Sequence, residues 1–288
     1  MGLVELLTTA FGHQQAGEQA KAEELYRRVL KLDPDNSIAN QLLGRIAQMK
    51  NAHQEAADLF AKALKSSPDN AEIHNNLGYS LNVLGQLDAA IRHLERALEL
   101  EPGYAVALDN LGAVLIDADR QEEAIVLLSR SQELSPDSAS AFNNMGNALK
   151  KLGKFDEAVE QYNRALKLSP GNPDFQYNQG AAFEEAGAFE EAVTSYQAAL
   201  EFKPDHVGSH CNLGNIFKGR GDLDDALRHY EKALEVNPDF MGALNNYGIV
   251  LSELGRPEQA ERAFRHAIEL DENFADAHMN LATLLRDR

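Results

Sequence analysis

The chain has 288 residues, 44% of them apolar, which is enough for a substantial core. Its 45 acidic and 27 basic residues give a formal net charge of -18, which disfavours nucleic acid and an anionic membrane surface as partners. No stretch approaches the roughly 20 apolar residues of a membrane span, the N-terminus lacks a basic leader, and the lone Cys211 has no internal disulfide partner. We therefore expect a soluble, cytoplasmic protein.

Prolines and glycines recur every 34 residues through the chain. The prolines lie at positions 34, 68, 102, 136, 170, 204 and 238, and the glycines at 44, 78, 112, 146, 180, 214 and 248. A fixed period of this length is typical of stacked repeats. It predicts eight repeats over residues 3–274, namely 3–36, 37–70, 71–104, 105–138, 139–172, 173–206, 207–240 and 241–274.

Each repeat is predicted to contain two helices, because apolar residues recur three and four positions apart on both sides of a short break. The break holds glycine in six repeats and Asn51 or Asp119 in the other two, and these residue types tolerate the left-handed conformation that ends a helix. The periodic proline stops the second helix. Within the first helix, we expect the missing Cβ of Gly78 to mark a close approach to Ala90 of the second helix.

The order of residues within a repeat resembles the tetratricopeptide repeat family. In the third repeat it consists of Leu77, Gly78, Leu81, Ala90, Leu94, Ala97 and Pro102. The resemblance implies an all-α, right-handed superhelical solenoid of helix-turn-helix units, whose first helices line a concave wall. Residues 275–288 read as one more first helix, and we expect this capping helix to bury Leu281, Leu284 and Leu285 on the eighth repeat.

One slot of the first helix holds an asparagine in six successive repeats and in the capping helix that follows them. The series consists of Asn76, Asn110, Asn144, Asn178, Asn212, Asn246 and Asn280. By resemblance, this slot points into the concave wall, where a side-chain amide can donate to and accept from a peptide backbone without reading its sequence. The pattern resembles the asparagine ladder of protein O-linked N-acetylglucosamine transferases. Alternatively, each asparagine braces the neighbouring repeat through an inter-helix hydrogen bond, and both roles can hold at once.

A second candidate site lies in the fifth repeat. At helical spacing, Asn143, Asn147, Lys150 and Lys151 are predicted to share one face, and Asn215 and Lys218 repeat part of this pattern two repeats later. In an acidic protein, such a basic site could bind a carboxylate of a partner. The alternative is that lysines near a helix end simply suit the helix dipole and water.

Metal binding and catalysis have weaker support in the sequence. His206, His210 and Cys211 are close together, but His210 occupies the same packing slot as His74 and His278, which favours a structural role over a metal site. No nucleophile elbow, phosphate loop or paired-carboxylate signature is present. We expect no enzyme activity and no cofactor.

The sequence therefore predicts a protein–protein interaction scaffold that binds an extended peptide segment of a partner in its concave groove. The alternative is the substrate-recognition portion of a larger glycosyltransferase or sulfotransferase, because residues 13–36 resemble the opening of bacterial arrays that precede such domains. The segment after the eighth repeat, 275–288, is too short for a catalytic domain. No repeat supplies the Lys–Arg pair with which some tetratricopeptide domains bind heat-shock chaperone C-terminal tails, so we exclude that partner.

Overall fold

The computed structural model describes residues 2–286, which form seventeen α-helices and no β-strand. The helices are α1 (Leu3–Gln15), α2 (Gln19–Leu32), α3 (Ser37–Met49), α4 (His53–Ser66), α5 (Ala71–Val83), α6 (Leu87–Leu100), α7 (Ala105–Asp117), α8 (Gln121–Leu134), α9 (Ala139–Lys151), α10 (Phe155–Leu168), α11 (Pro173–Glu185), α12 (Phe189–Phe202), α13 (Val207–Arg220), α14 (Leu223–Val236), α15 (Met241–Glu253), α16 (Pro257–Leu270) and α17 (Ala275–Arg286). The odd-numbered helices begin at the same constant interval as the periodic prolines, and so do the even-numbered ones. Within residues 2–286, no helix is long and apolar enough to cross a membrane.

The helix ends follow from local side-chain and backbone chemistry. Several first helices begin at a side chain that caps the helix, such as Asn36, whose oxygen accepts the backbone N–H of Ala39, and Asn70, which accepts that of Ile73. All eight predicted breaks have a residue with positive φ, including the non-glycine residues Asn51 and Asp119 at +57°. The prediction of two helices per repeat with a left-handed break is therefore confirmed.

The described residues form two compact bodies, an N-terminal body that ends at Leu152 and a C-terminal body that begins at Gly153. Within each body, a second helix packs against the first helices that flank it. Successive first helices also contact one another, as α5, α7 and α9 do in the N-terminal body, and α13, α15 and α17 in the C-terminal body. Among the described residues of either body, no comparable contact joins successive second helices. The first helices therefore form the tighter side of each stack, which we call the inner face.

The periodic glycines make room for large core side chains. A Cβ on Gly214 would lie 2.7 Å from Cε1 of the buried Tyr230. A Cβ on Gly78 would lie 2.5 Å from Cγ of Leu94 and 3.2 Å from the backbone oxygen of Ala90. The expected close approach of Gly78 to Ala90 is therefore confirmed, and the side chain of Leu94, one turn further along the second helix, lies nearer still.

The C-terminal helix α17 packs on α15 and α16. Ala277 and Leu284 are buried and Leu281 is half-buried, but Leu285 is 46% exposed. The expectation that all three leucines are buried is therefore wrong for Leu285, because adjacent helical residues point about 100° apart. Residues 287 and 288, which belong to the predicted cap, lie outside the described residues.

We predict opposite effects on stability for two glycine substitutions in α13. Gly214→Ala should lower the free energy of unfolding by roughly 1–3 kcal/mol, because the new methyl group collides with the ring of Tyr230. Gly219→Ala should raise it by up to about 1 kcal/mol, because a Cβ there meets nothing within 4 Å and alanine favours the helix. Chemical denaturation measures both. Equal shifts in the same direction would contradict the packing role of Gly214.

We propose that α17 caps the apolar end of the C-terminal body, with Leu284 as its main anchor. Leu284→Ala should destabilise the protein by about 2–4 kcal/mol, because Leu284 belongs to the core cluster that includes Val250 and Phe264. Leu285→Ala is the matched control and should cost under about 1 kcal/mol. Thermal denaturation of both variants compares the two sites. A loss at Leu284 no greater than that at Leu285 would rule out the capping role.

Candidate functional site

The asparagine series lies on first helices and is half-buried throughout. Asn76, Asn110 and Asn144 belong to the N-terminal body, whereas Asn178, Asn212, Asn246 and Asn280 belong to the C-terminal body. Each residue stands two positions before the first-helix glycine or its counterpart. Part of each side chain therefore reaches solvent while the rest is held by the protein.

Among the described residues, four of these asparagines donate a hydrogen bond to the preceding first helix, and three of them do so to the same position of that helix. The Nδ2 atom lies 2.8 Å from the acceptor oxygen in each of the pairs Asn110–Asn75, Asn144–Asp109 and Asn280–Asn245. Each acceptor occupies the position just before the asparagine slot in its own repeat, and each is buried. The inter-helix brace, which was the structural alternative for this series, is thus present at these three positions.

The brace leaves hydrogen-bonding capacity on the asparagine. An amide has two N–H donors and an acceptor oxygen, and the bond to the preceding helix uses one N–H. Within residues 2–286, the Oδ1 atoms of Asn110 and Asn280 accept no hydrogen bond, and neither atom is shut off from solvent. A bracing asparagine can therefore still offer both a donor and an acceptor to a ligand on the inner face.

In the C-terminal body, Asn246 joins the two predicted residues Asn215 and Lys218 in one network. The Lys218 ammonium donates to Asn246 Oδ1 at 2.9 Å, and Asn246 Nδ2 donates to Asn215 Oδ1 at 3.0 Å. The Tyr230 hydroxyl donates to the same oxygen of Asn215 at 2.7 Å. Burial lowers the pKa of Lys218, and Glu253 partly opposes this shift. The structure therefore brings three predicted site residues together and ties them to the core.

A neighbouring asparagine has a different environment. Asn212 Nδ2 donates to the Tyr196 hydroxyl at 2.8 Å, and that hydroxyl donates to Glu184 Oε2 at 2.6 Å. Burial is the main cause that raises the pKa of Tyr196, and the bond to Glu184 adds to it. The asparagine series thus faces a carboxylate network at Asn212 and a lysine at Asn246.

The four residues of the second candidate site in the fifth repeat differ in their exposure. Asn143 is buried, Asn147 and Lys150 are half-buried, and Lys151 is exposed. The Lys151 ammonium donates to the carbonyl oxygen of Ile116 at 2.8 Å and pairs with Asp119 at 2.9 Å. Lys151 lies about 80° around the helix from Asn143, and its ammonium is directed toward α7. Lys151 thus binds the C-terminal end of α7 through a hydrogen bond and an ion pair.

The histidines near Cys211 have structural contacts. His210 Nε2 donates to the carbonyl oxygen of Pro204 at 2.9 Å, and its Nδ1 lies 3.0 Å from Nδ1 of His229. His74 makes the same two contacts with Pro68 and His93. The shared packing slot is therefore confirmed. Burial raises the pKa of the Cys211 thiol to about 12.

His206, the third residue of this sequence cluster, accepts the backbone N–H of Ser209 at 3.1 Å and so caps α13. Among residues 2–286, no group of three histidine, cysteine or acidic side chains is arranged to hold a metal ion. The close spacing of His206, His210 and Cys211 in the sequence is thus explained by a helix cap and a packing slot.

The sequence pattern did not point to a cavity on the inner face of the N-terminal body. The cavity has a volume of about 420 Å³ and is lined by residues of α5, α7, α8 and α9, including Asn110, Asn144 and the buried Asp109. Asp109 Oδ1 accepts from Asn144 at 2.8 Å and Oδ2 accepts from Ser140 at 2.5 Å. Burial raises the pKa of Asp109, against the effect of these two bonds. The sequence did distinguish Asp109 itself, because it is an acidic residue in a slot that holds asparagine at positions 75, 143 and 245.

Family models of the tetratricopeptide repeat match the chain repeatedly. One matches residues 12–71, 143–207 and 248–288, a second matches 69–137 and 104–171, and two others match 208–240 and 229–262. Together these matches span residues 12–288. No curated protein matches the chain in sequence.

Solved structures are similar to the chain in fold. A chain of the APC/C hetero-tetramer Cut9–Hcn1 is similar with a TM-score of 0.73 and 16% identity over 97% of this chain, which spans 55% of that chain. YrrB, described as a tetratricopeptide protein with an unusual peptide-binding site, is similar with a TM-score of 0.51 and 22% identity over 65% of this chain and 96% of its own. MamA has a TM-score of 0.49 and 26% identity over 56% of this chain and 95% of its own. The chain thus spans about half the length of the Cut9–Hcn1 relative.

Proposed function

The chain belongs to the tetratricopeptide repeat family, and on that premise we propose that it acts by binding another protein. An extended segment of the partner lies along the inner face, and the asparagine series holds its backbone. Solenoid repeat proteins use extended concave surfaces of this kind for binding. The fold similarity to YrrB supports the proposal, since YrrB is described as having a peptide-binding site.

The observation that carries the proposal is the set of regularly spaced, half-buried amides that keep unused donors and acceptors after bracing the helices. Helices in direct contact lie about 8–10 Å apart, and an extended chain with polyproline-like geometry advances about 3.1 Å per residue with three residues per turn. One asparagine would therefore meet the peptide backbone about every third residue. This match in spacing explains how the series could hold a segment without selecting its side chains.

Charge favours a partner segment that carries basic residues, since the chain has a formal net charge of -18. The proposal assigns no catalytic residue. If the chain serves as the substrate-recognition portion of a larger transferase, the same face would hold the substrate, so a binding measurement on the inner face addresses both settings.

We predict that removing an asparagine of the series weakens peptide binding, whereas removing only its bracing acceptor does not. Asn110→Ala deletes the amide that would meet the ligand, and it also deletes the brace. Asn75→Ala deletes the buried acceptor of that brace and leaves Asn110 in place. Binding of fluorescent mixed-sequence peptides, long enough to span several first helices, would be measured by polarisation, with circular dichroism to confirm folding.

The expected result is about tenfold or more weaker binding for Asn110→Ala, because two hydrogen bonds to the peptide are lost. Asn75→Ala should bind within about twofold of the unmodified chain, although it should melt at a lower temperature. Asn280→Ala and Asn245→Ala form the equivalent pair in the C-terminal body. Unchanged affinity in both Asn110→Ala and Asn280→Ala would show that the series only braces the helices.

A further inference from the structure

The cavity on the inner face of the N-terminal body contains a single charged lining residue, Asp109. Its side chain is 7% exposed, and both of its hydrogen-bond donors, Asn144 and Ser140, are neutral. A carboxylate offers about four acceptor positions, so two donors leave it partly unsatisfied. Burying a carboxylate without a cation is unfavourable, which is consistent with the raised pKa of Asp109.

The packing of the helices does not require this charge. In the equivalent positions, Asn75 and Asn245 accept the same bond from the next asparagine of the series at the same distance of 2.8 Å. A neutral amide therefore suffices for the brace. The brace therefore does not explain the carboxylate at Asp109. The cavity beside it has room for a group that would pair with this charge.

A second lining residue has an acceptor atom without any donor. The Oδ1 atom of Asn82 is buried and has no hydrogen-bond partner among the described residues. Tyr79, which lines the same cavity, is 43% exposed and presents an aromatic ring. An unpaired acceptor, an uncompensated carboxylate and an aromatic ring are the groups that a planar cation with several N–H donors can engage together.

We propose that this cavity holds the guanidinium group of an arginine side chain in the partner segment, with Asp109 as its charge partner. The inference rests on the proposed function, since the arginine enters from the segment that lies along the inner face. Rotation of the Asn82 amide lets its Oδ1 accept from the guanidinium, and Tyr79 lies against it. Asn110 and Asn144 also line the cavity and hold the backbone next to the arginine.

Paired peptides test this arginine site on the full chain. Two otherwise neutral peptides of equal length would differ only at one central residue, arginine in one and its uncharged analogue citrulline in the other. The proteins are the unmodified chain, Asp109→Asn and Asn75→Asp. Asn75→Asp is the matched control, because it places a carboxylate in the same slot one repeat earlier, outside the cavity lining.

The unmodified chain should bind the arginine peptide about 30-fold or more tightly than the citrulline peptide, as expected for a buried charge pair. Asp109→Asn should abolish this preference while its affinity for the citrulline peptide stays within about twofold. It should melt no lower at neutral pH, because asparagine serves the same brace elsewhere in the chain. Asn75→Asp should keep the preference of the unmodified chain. Retention of the preference in Asp109→Asn, or its absence in the unmodified chain, would overturn the inference.

A small probe separates failure of this inference from failure of the proposed function. If the unmodified chain binds neither peptide, the proposed function fails. N-acetylarginine amide would then be titrated while the backbone amide signals of Val106, Asp109 and Ser140 are followed by NMR. Saturable shifts that disappear in Asp109→Asn would support a guanidinium site in the cavity by itself, and the absence of shifts in the unmodified chain would overturn it.

Discussion

The close packing of each first-helix glycine against a large side chain of the following second helix is the contact on which the rest of the structure depends. Described examples are Gly44–Phe60, Gly112–Leu128, Gly180–Tyr196 and Gly248–Phe264. The contact fixes which side of the first helix faces its partner helix. A residue two positions earlier is turned by about 200°, so it faces away from that partner. The asparagine series occupies this earlier position, and its place on the inner face therefore follows from the glycine contact.

Asn110, Asn144 and Asn280 combine a structural and a proposed binding role in one side chain. Their amides donate to the preceding first helix and so fix the register of neighbouring repeats. Asp109 departs from this pattern, because its carboxylate accepts the same bond but adds a buried charge that the brace does not need.

The periodic part of the structure could be predicted from the sequence. Prolines and glycines at a fixed interval gave the helix pairs, the left-handed breaks at Asn51 and Asp119 and the shared slot of His74 and His210. These features depend on local chemistry, which is the same in each repeat because the same residue types recur at the same positions. Contacts between side chains of different helices were harder to predict. Leu94 lies nearer to Gly78 than Ala90 does, and Lys151 turns toward the end of α7, because such contacts depend on side-chain length and on small rotations between helices. The cavity beside Asp109 arises from several helices at once and has no signature in one repeat.

The central claim is that the asparagine series holds the backbone of a bound segment, and changes to the peptide backbone test it most directly. One peptide would be made with ester linkages in place of three amides, spaced at every third position, and a second would have three neutral side chains exchanged at the same positions. Esters remove the backbone N–H and weaken the carbonyl acceptor while they leave the side chains unchanged. In the register that aligns the esters with the asparagines, we expect about tenfold or more weaker binding for the ester peptide and little change for the side-chain variant. The esters can be placed at every third position in three registers along the peptide. Equal affinity of the ester and amide peptides in all three of these registers would contradict the claim.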